Sequence, residues 1–127
     1  MITSCFTRAA KQYSKDHLWF DLANKVGKFG VTSYKGYHLG NIKFLALAPE
    51  GTYKKGEELA TIESDKTIES IAAPVDLKIT QTNTKLEDNP KLLKTSAEKN
   101  AWIAQIEILS DFSEPLVDRK AYLKSLE

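Results

Sequence analysis

Thr61-Ile62-Glu63-Ser64-Asp65-Lys66-Thr67-Ile68-Glu69-Ser70 sets the same tetrapeptide on both sides of an Asp-Lys pair. In each arm β-branched residues alternate with polar ones, the period of two that marks a strand. Two residues is also the favoured loop length between antiparallel neighbours. The reading is a β-hairpin with Asp65-Lys66 as its loop, Ser64 opposite Thr67, Glu63 opposite Ile68 and Ile62 opposite Glu69. At the tip neither face is purely apolar, whereas Ala60, Ile62, Ile71 and Ala73 share a face farther down. The base is therefore expected to be buried and the tip wet, with Lys66 projecting into solvent on a rigid mount among Glu63, Asp65 and Glu69. Such a lysine is either an ordinary polar turn residue or an amine displayed for an enzyme to acylate. The hairpin alone leaves both readings open.

Outward from the hairpin, strand signals dominate. Leu18-Trp19-Phe20 and Val26 to Val31 read as a hairpin with Asn24 and Gly27 near its turn. Thr32 can cap a short helix that runs to Leu39 and stops at Gly40. Asn41 to Leu47 and Leu77 to Thr82 read as strands, and Pro49-Glu50-Gly51 and Lys54-Lys55-Gly56 read as turns. Asn89-Pro90 suits a helix start, because proline's missing N–H costs nothing there. Trp102 to Ile108 alternates strongly. Ser113-Glu114-Pro115 opens a terminal helical stretch with Leu116 and Leu123 on one face. Many short strands, a few short helices and a C-terminal helix predict a mainly β fold, a compact sandwich or barrel, with function at a hairpin tip.

Composition removes several classes of function. The chain has 127 residues, one cysteine, two histidines and a formal net charge of +1. It suits one domain with a single core. The charge gives no argument for nucleic acid or a membrane surface, and no apolar run approaches the roughly 20 residues of a membrane span. Cys5 has no partner for a disulfide or redox pair. His17 and His38 do not stand beside it at zinc-ligand spacing, so no metal site is expected. No catalytic residue is assigned, and a non-catalytic module is the economical reading. Residues 1–12 contain Arg8, Lys11 and three hydroxyl residues without an acid, the composition of a short organellar targeting segment, so the domain is expected to span 13–127.

The segments Tyr13-Ser14-Lys15-Asp16-His17-Leu18-Trp19, Gly30-Val31-Thr32-Ser33-Tyr34, Leu39-Gly40-Asn41-Ile42, Glu63-Ser64-Asp65-Lys66, Ala73-Pro74-Val75, Leu86-Glu87-Asp88-Asn89-Pro90 and Trp102-Ile103 follow one another as in a known family. In order and spacing, from Tyr13 to about Leu126, the chain resembles the glycine cleavage system H proteins. The resemblance implies a lipoyl-domain-like barrel-sandwich hybrid with lipoate in amide linkage on Lys66. Glu63, Ser64 and Asp65 would then be read by a lipoate-attaching enzyme. It also implies a monomeric carrier that is not itself an enzyme. Its arm would take an aminomethyl group from glycine decarboxylase (P protein), pass it to aminomethyltransferase (T protein), and be reoxidised by dihydrolipoamide dehydrogenase (L protein). A tethered intermediate gains effective concentration at each site. With the leader composition, the implied compartment is a mitochondrial matrix or a related organelle such as a hydrogenosome, with cytoplasm as the alternative.

The chain departs from the family pattern at several positions. Asp65 and Thr67 flank the lysine where Val and Ala are usual, a flank more like the lipoyl domains of 2-oxoacid dehydrogenase complexes. The resemblance places Asp16, Leu18, His38 and Ser70 in a cleft that shelters the arm. At the position of Leu18 a glutamate is common, and a leucine cannot hydrogen-bond to a bound amine. Strand alternation aims Glu69 away from Ser70. Leu77 stands where a hairpin glycine is customary, which predicts an altered loop there. These departures leave two alternatives beside the glycine cleavage role. One is a lipoylated relative used for lipoate relay or for redox cycling with dihydrolipoamide dehydrogenase alone. The other is an unmodified interaction module.

Overall fold

The computed structural model describes residues 11–14, 16–23, 25–95, 97–98, 101–110, 112 and 116–126. The Asp-Lys hairpin forms as the alternation requires. β6 (Glu58–Ser64) and β7 (Ile68–Ala72) pair antiparallel with Ile62 opposite Glu69 and Glu63 opposite Ile68. Ala60, Ile62, Ile71 and Ala73 are all buried, so the base of the hairpin belongs to the core. β4 (Ile42–Leu47) pairs with the other side of β6, which completes a three-stranded sheet.

The second sheet has six strands in the order β1-β2-β3-β9-β8-β5. They are β1 (Gln12–Tyr13), β2 (Leu18–Ala23), β3 (Val26–Val31), β5 (Gly51–Tyr53), β8 (Leu77–Thr82) and β9 (Ala104–Ile108). Phe20, Phe29, Val31, Leu77, Ile79 and Ile106 from this sheet join Leu45, Ile62 and Ile71 from the other in one apolar cluster. The fold is thus mainly β with two antiparallel sheets on one core, the expected barrel-sandwich class, although the sheets do not close into a continuous barrel. Among the described residues, no helix is long and apolar enough to cross a membrane.

Among the described residues there are four short helices: α1 (Ser33–Leu39), α2 (Thr84–Asp88), α3 (Leu92–Thr95) and α4 (Arg119–Ser125). Thr32 caps α1 through its side chain, which accepts from the Lys35 N–H, and Gly40 ends it at φ 82°. An L side chain at that angle would be strained.

The structure corrects four local expectations. Gly27 lies inside β3 opposite Leu22, and the β2–β3 turn instead holds Lys25 at φ 68°. Asn24 is outside the described residues. Leu77 makes no altered loop: it opens β8, fully buried between Tyr53 and Ile108. The terminal helix starts at Arg119, where the Asp118 side chain caps it by accepting from the Ala121 N–H. Its anchor is buried Tyr122, while Leu123 is exposed and Leu116 precedes the helix. Residues 113–115 lie outside the described residues, as does the candidate leader apart from Lys11 and Gln12. Lys11 sits over the Trp19 ring and Gln12 pairs with Phe20.

Candidate functional site

The hairpin tip is held from within and from outside. The Ser64 hydroxyl accepts from the backbone N–H groups of Lys66 and Thr67 at 3.1 and 3.2 Å, and the Ser64 N–H donates to the Thr67 carbonyl at 2.8 Å. A serine folded back on its own turn satisfies donors that would otherwise compete for water. From outside, the Asp65 carboxylate accepts from the Asn41 N–H at 3.1 Å and from the Asn41 side-chain amide at 3.3 Å. The Asp65 N–H donates to the Asn41 carbonyl at 3.0 Å. The segment leaving α1 therefore clamps the tip.

Gly40 is part of this clamp. A Cβ there would stand 2.8 Å from Asp65 Oδ1 and 3.3 Å from both Cδ and Cε of Lys66. The lysine stem passes close over bare backbone, and Lys66 remains exposed. Of the residues expected at the tip, Ser64 and Asp65 shape and fix the turn, while Glu63 is exposed on the sheet face beside it. The Gly40-Asn41 partner was not anticipated. Its signal in the sequence was the unusual acid at position 65, which needs a donor.

A cleft of about 380 Å³ lies against β7 and is lined by Asp16, His17, Leu18, Lys35, Glu69, Ser70, Ile71 and Ala72. Asp16, Leu18 and Ser70 come together there. His38 does not line the cleft: it is exposed on α1, its ring 4.3 Å from that of Tyr34 and 5.4 Å from that of Tyr37. Lys35, one turn earlier on α1, takes the lining position instead. Glu69 also reaches the cleft with Ser70, because β7 is an edge strand and its side chain swings to Lys35 at 2.8 Å. The Ser70 hydroxyl bonds Glu58, which also accepts from Thr61. Leu18 and Ile71, both in the core cluster, make the floor apolar beneath this polar rim.

The terminal helix supports the cleft wall. The Tyr122 hydroxyl stands 2.7 Å from His17 Nδ1 and 2.8 Å from Thr32 Oγ1, and its ring stacks on Tyr13 at 4.8 Å. His17 adopts φ 65°, a rare backbone angle for a residue with a side chain, and its carbonyl accepts from the Thr32 N–H at 2.9 Å. Burial, reinforced by nearby Lys35, lowers the His17 pKa. Beside it, Glu98 accepts from the Tyr13 hydroxyl, the Ser33 N–H and Arg119 at 2.8, 2.8 and 3.1 Å. Burial pushes its carboxyl up, yet these donors outweigh it and the pKa is lowered.

These two shifts make a pH prediction. Both groups bind fewer protons folded than unfolded, so stability should fall as pH drops below the ordinary histidine value of 6.5, and again below the ordinary glutamate value of 4.5. Glu98→Gln should cost about 1 kcal/mol at pH 7 after allowance for solvent, and nothing extra once the carboxyl is protonated. Urea titrations at pH 7, 5.5 and 3.5 check this. Equal losses at all three would remove the ionised Glu98 from the account.

The chain is similar to known proteins of one family over most of its length. The family model "Glycine cleavage H-protein" matches residues 11–127. A glycine cleavage system H protein of Staphylococcus epidermidis is 36% identical over 79% of this chain and 80% of its own. That of Thermotoga maritima is 35% identical over 88% and 92%. A crystal structure of a glycine cleavage system H protein from Mycobacterium marinum superposes with a TM-score of 0.80 at 26% identity, covering 91% of this chain and 95% of that one. These relatives are bacterial, so they give the mitochondrial or hydrogenosomal expectation no support and agree with the cytoplasmic one.

Proposed function

The chain belongs to the glycine cleavage H-protein family, and from that premise we propose that Lys66 is its lipoyl attachment site. The protein is a lipoyl carrier of the glycine cleavage system, and the relay and interaction-module alternatives are not favoured. The observation that carries the assignment of Lys66 is its placement: an exposed amine on a turn fixed by Asn41 and Asp65, with its stem against Gly40.

The surrounding residues fit the group. From Lys66 to Ser70 is on the order of 13 Å along the strand, a reach suited to a lysine side chain lengthened by an acyl chain. The floor of Leu18 and Ile71 suits an aliphatic arm, and Asp16, Lys35 and Glu69 offer polar contacts at the rim. When bound, lipoate supplies a disulfide that can take up a carbon group and electrons and be regenerated by oxidation. The chain's own residues present Lys66, hold the tip rigid and give the arm a partly water-excluding rest beside β7. Glycine decarboxylase, aminomethyltransferase and dihydrolipoamide dehydrogenase are the proposed partners, with this chain as the non-catalytic member.

Incubation with lipoate, ATP and a lipoate-attaching enzyme should add one lipoyl increment to the intact mass. Peptide mapping should place it on Lys66, and Lys66→Ala should abolish it. No increment, under conditions that modify a known lipoyl domain, would overturn the assignment.

A further inference from the structure

Lys35 is the one lysine or arginine among the residues lining the cleft beside β7. With His17 neutral, Asp16, Lys35 and Glu69 leave the lining one net negative charge, and without Lys35 it would carry two. Lys35 is also the most enclosed of the three: its side chain is 19% exposed against 39% for Glu69, and Asp16 is exposed. Water screens an open charge more than an enclosed one, so the ammonium weighs on the cleft more than either acid. His17, which lines the same cleft, reports that field. After burial, Lys35 is the largest influence on its ring, ahead of Asp16 and Glu69, and it opposes a second positive charge there. Helix stability does not account for the lysine. It stands in the first turn of α1, where the helix dipole disfavours a cation, and the Thr32 cap fixes its backbone.

We propose that Lys35 determines which form of the arm this cleft accepts: by holding Glu69 at 2.8 Å it admits an arm with an uncharged end and turns away one that ends in an ammonium. The inference rests on the reading that an arm attached at Lys66 lies in this cleft. The floor of Leu18 and Ile71 attracts the aliphatic stem of either form alike, so the end group decides. An ammonium end meets Glu69 only by displacing Lys35, which exchanges one ion pair for another. Otherwise it lies beside a like charge in a partly dry site. An uncharged end meets neither cost. An arm carrying a cationic group is therefore left exposed for the next active site, and the arm without one is the form that rests.

The test uses full chains with Cys5→Ser, which leaves the arm the only thiols. Each chain is lipoylated at Lys66, reduced, and S-alkylated with 2-bromoethylamine for a cationic end or with 1-bromopropane for an uncharged end of the same size. Docking is read from the NMR shifts of Leu18, Ser70 and Ile71 relative to the unmodified chain, and circular dichroism verifies folding. In the parent the cationic arm should dock about 5-fold less than the uncharged one, the scale of one partly exposed charge pair. Lys35→Met should raise the cationic-to-uncharged ratio by about 5-fold. Glu69→Gln should lower it further, and Lys35→Arg should keep the parent's value. The opposite signs are the signature: Lys35→Met and Glu69→Gln break the same ion pair, and a merely structural role would move docking one way. Ratios that move together or not at all overturn the proposal, and either variant alone tests its sign should the other fail to fold. Docking of neither arm in any of these proteins rejects the cleft as the arm's resting place, and no modification of the parent at Lys66 rejects the attachment site. Both outcomes take the proposal with them and are distinguishable from its own failure.

Discussion

Gly36→Ala should lower the melting temperature by roughly 8 °C, although alanine is the better helix former. Gly36 lies in the middle of α1, and a Cβ built on it falls 2.2 Å from the Leu93 carbonyl oxygen and 3.6 Å from the Ala97 Cβ. The first contact overlaps by more than an ångström with backbone, which cannot rotate aside. Leu93 is fully buried, so α3 cannot retreat without opening the core. Overpacking of this kind costs about 1–3 kcal/mol, and the upper end applies because both sides of the clash are anchored. The helix gains at most about 1 kcal/mol from alanine, leaving a net loss near 2 kcal/mol. The effect should also reach the site, since α1 ends in Gly40 and Asn41, which clamp Asp65. Amide exchange at residues 64–67 should accelerate with the loss of stability. A variant as stable as the parent would mean that α1 and α3 do not approach this closely.

That contact shows what the sequence could and could not reveal. The β6–β7 register, the Thr32 cap and the Gly40 exit were legible because each is decided within about ten residues by alternation or capping chemistry. Gly36 was not, because its reason is the backbone of Leu93, 57 residues away. His38 and Lys35 show the same limit from another side. Three residues apart on one helix, they are near neighbours by spacing, and only the tertiary placement of α1, with Lys35 paired to Glu69, selects Lys35 for the cleft. At the C-terminus the pair that packs is Tyr122 and Leu126, four residues apart. The heptad spacing of Leu116 and Leu123 fits a helix as well, but the helix begins after Leu116, so that face never forms. Glu69 escaped prediction because an edge strand leaves its side chain free to reach across to Lys35.

Leu18→Glu, which restores the acid common in the family, should destabilise the protein by about 3–4 kcal/mol at pH 7. Leu18 is only 3% exposed and belongs to the core cluster while it floors the cleft. Losing its burial costs about 2 kcal/mol, and desolvating a carboxylate beside that core adds to it. Lys35 cannot supply full compensation, because it is already paired with Glu69 at 2.8 Å. Such a carboxyl keeps its proton to higher pH in the folded state than in the unfolded one. The charge penalty is therefore absent below the ordinary glutamate range and complete only above the raised folded pKa, so the gap to the parent should widen as pH rises. Urea titrations of both proteins across pH 4 to 8 would show that widening. A constant gap below 1 kcal/mol would mean that position 18 opens to water, and that this chain could host the acid at no cost. If the gap widens, the packed floor does not host an acid at position 18, and the carboxylates that line this cleft are those of Asp16 and Glu69, the latter paired with Lys35.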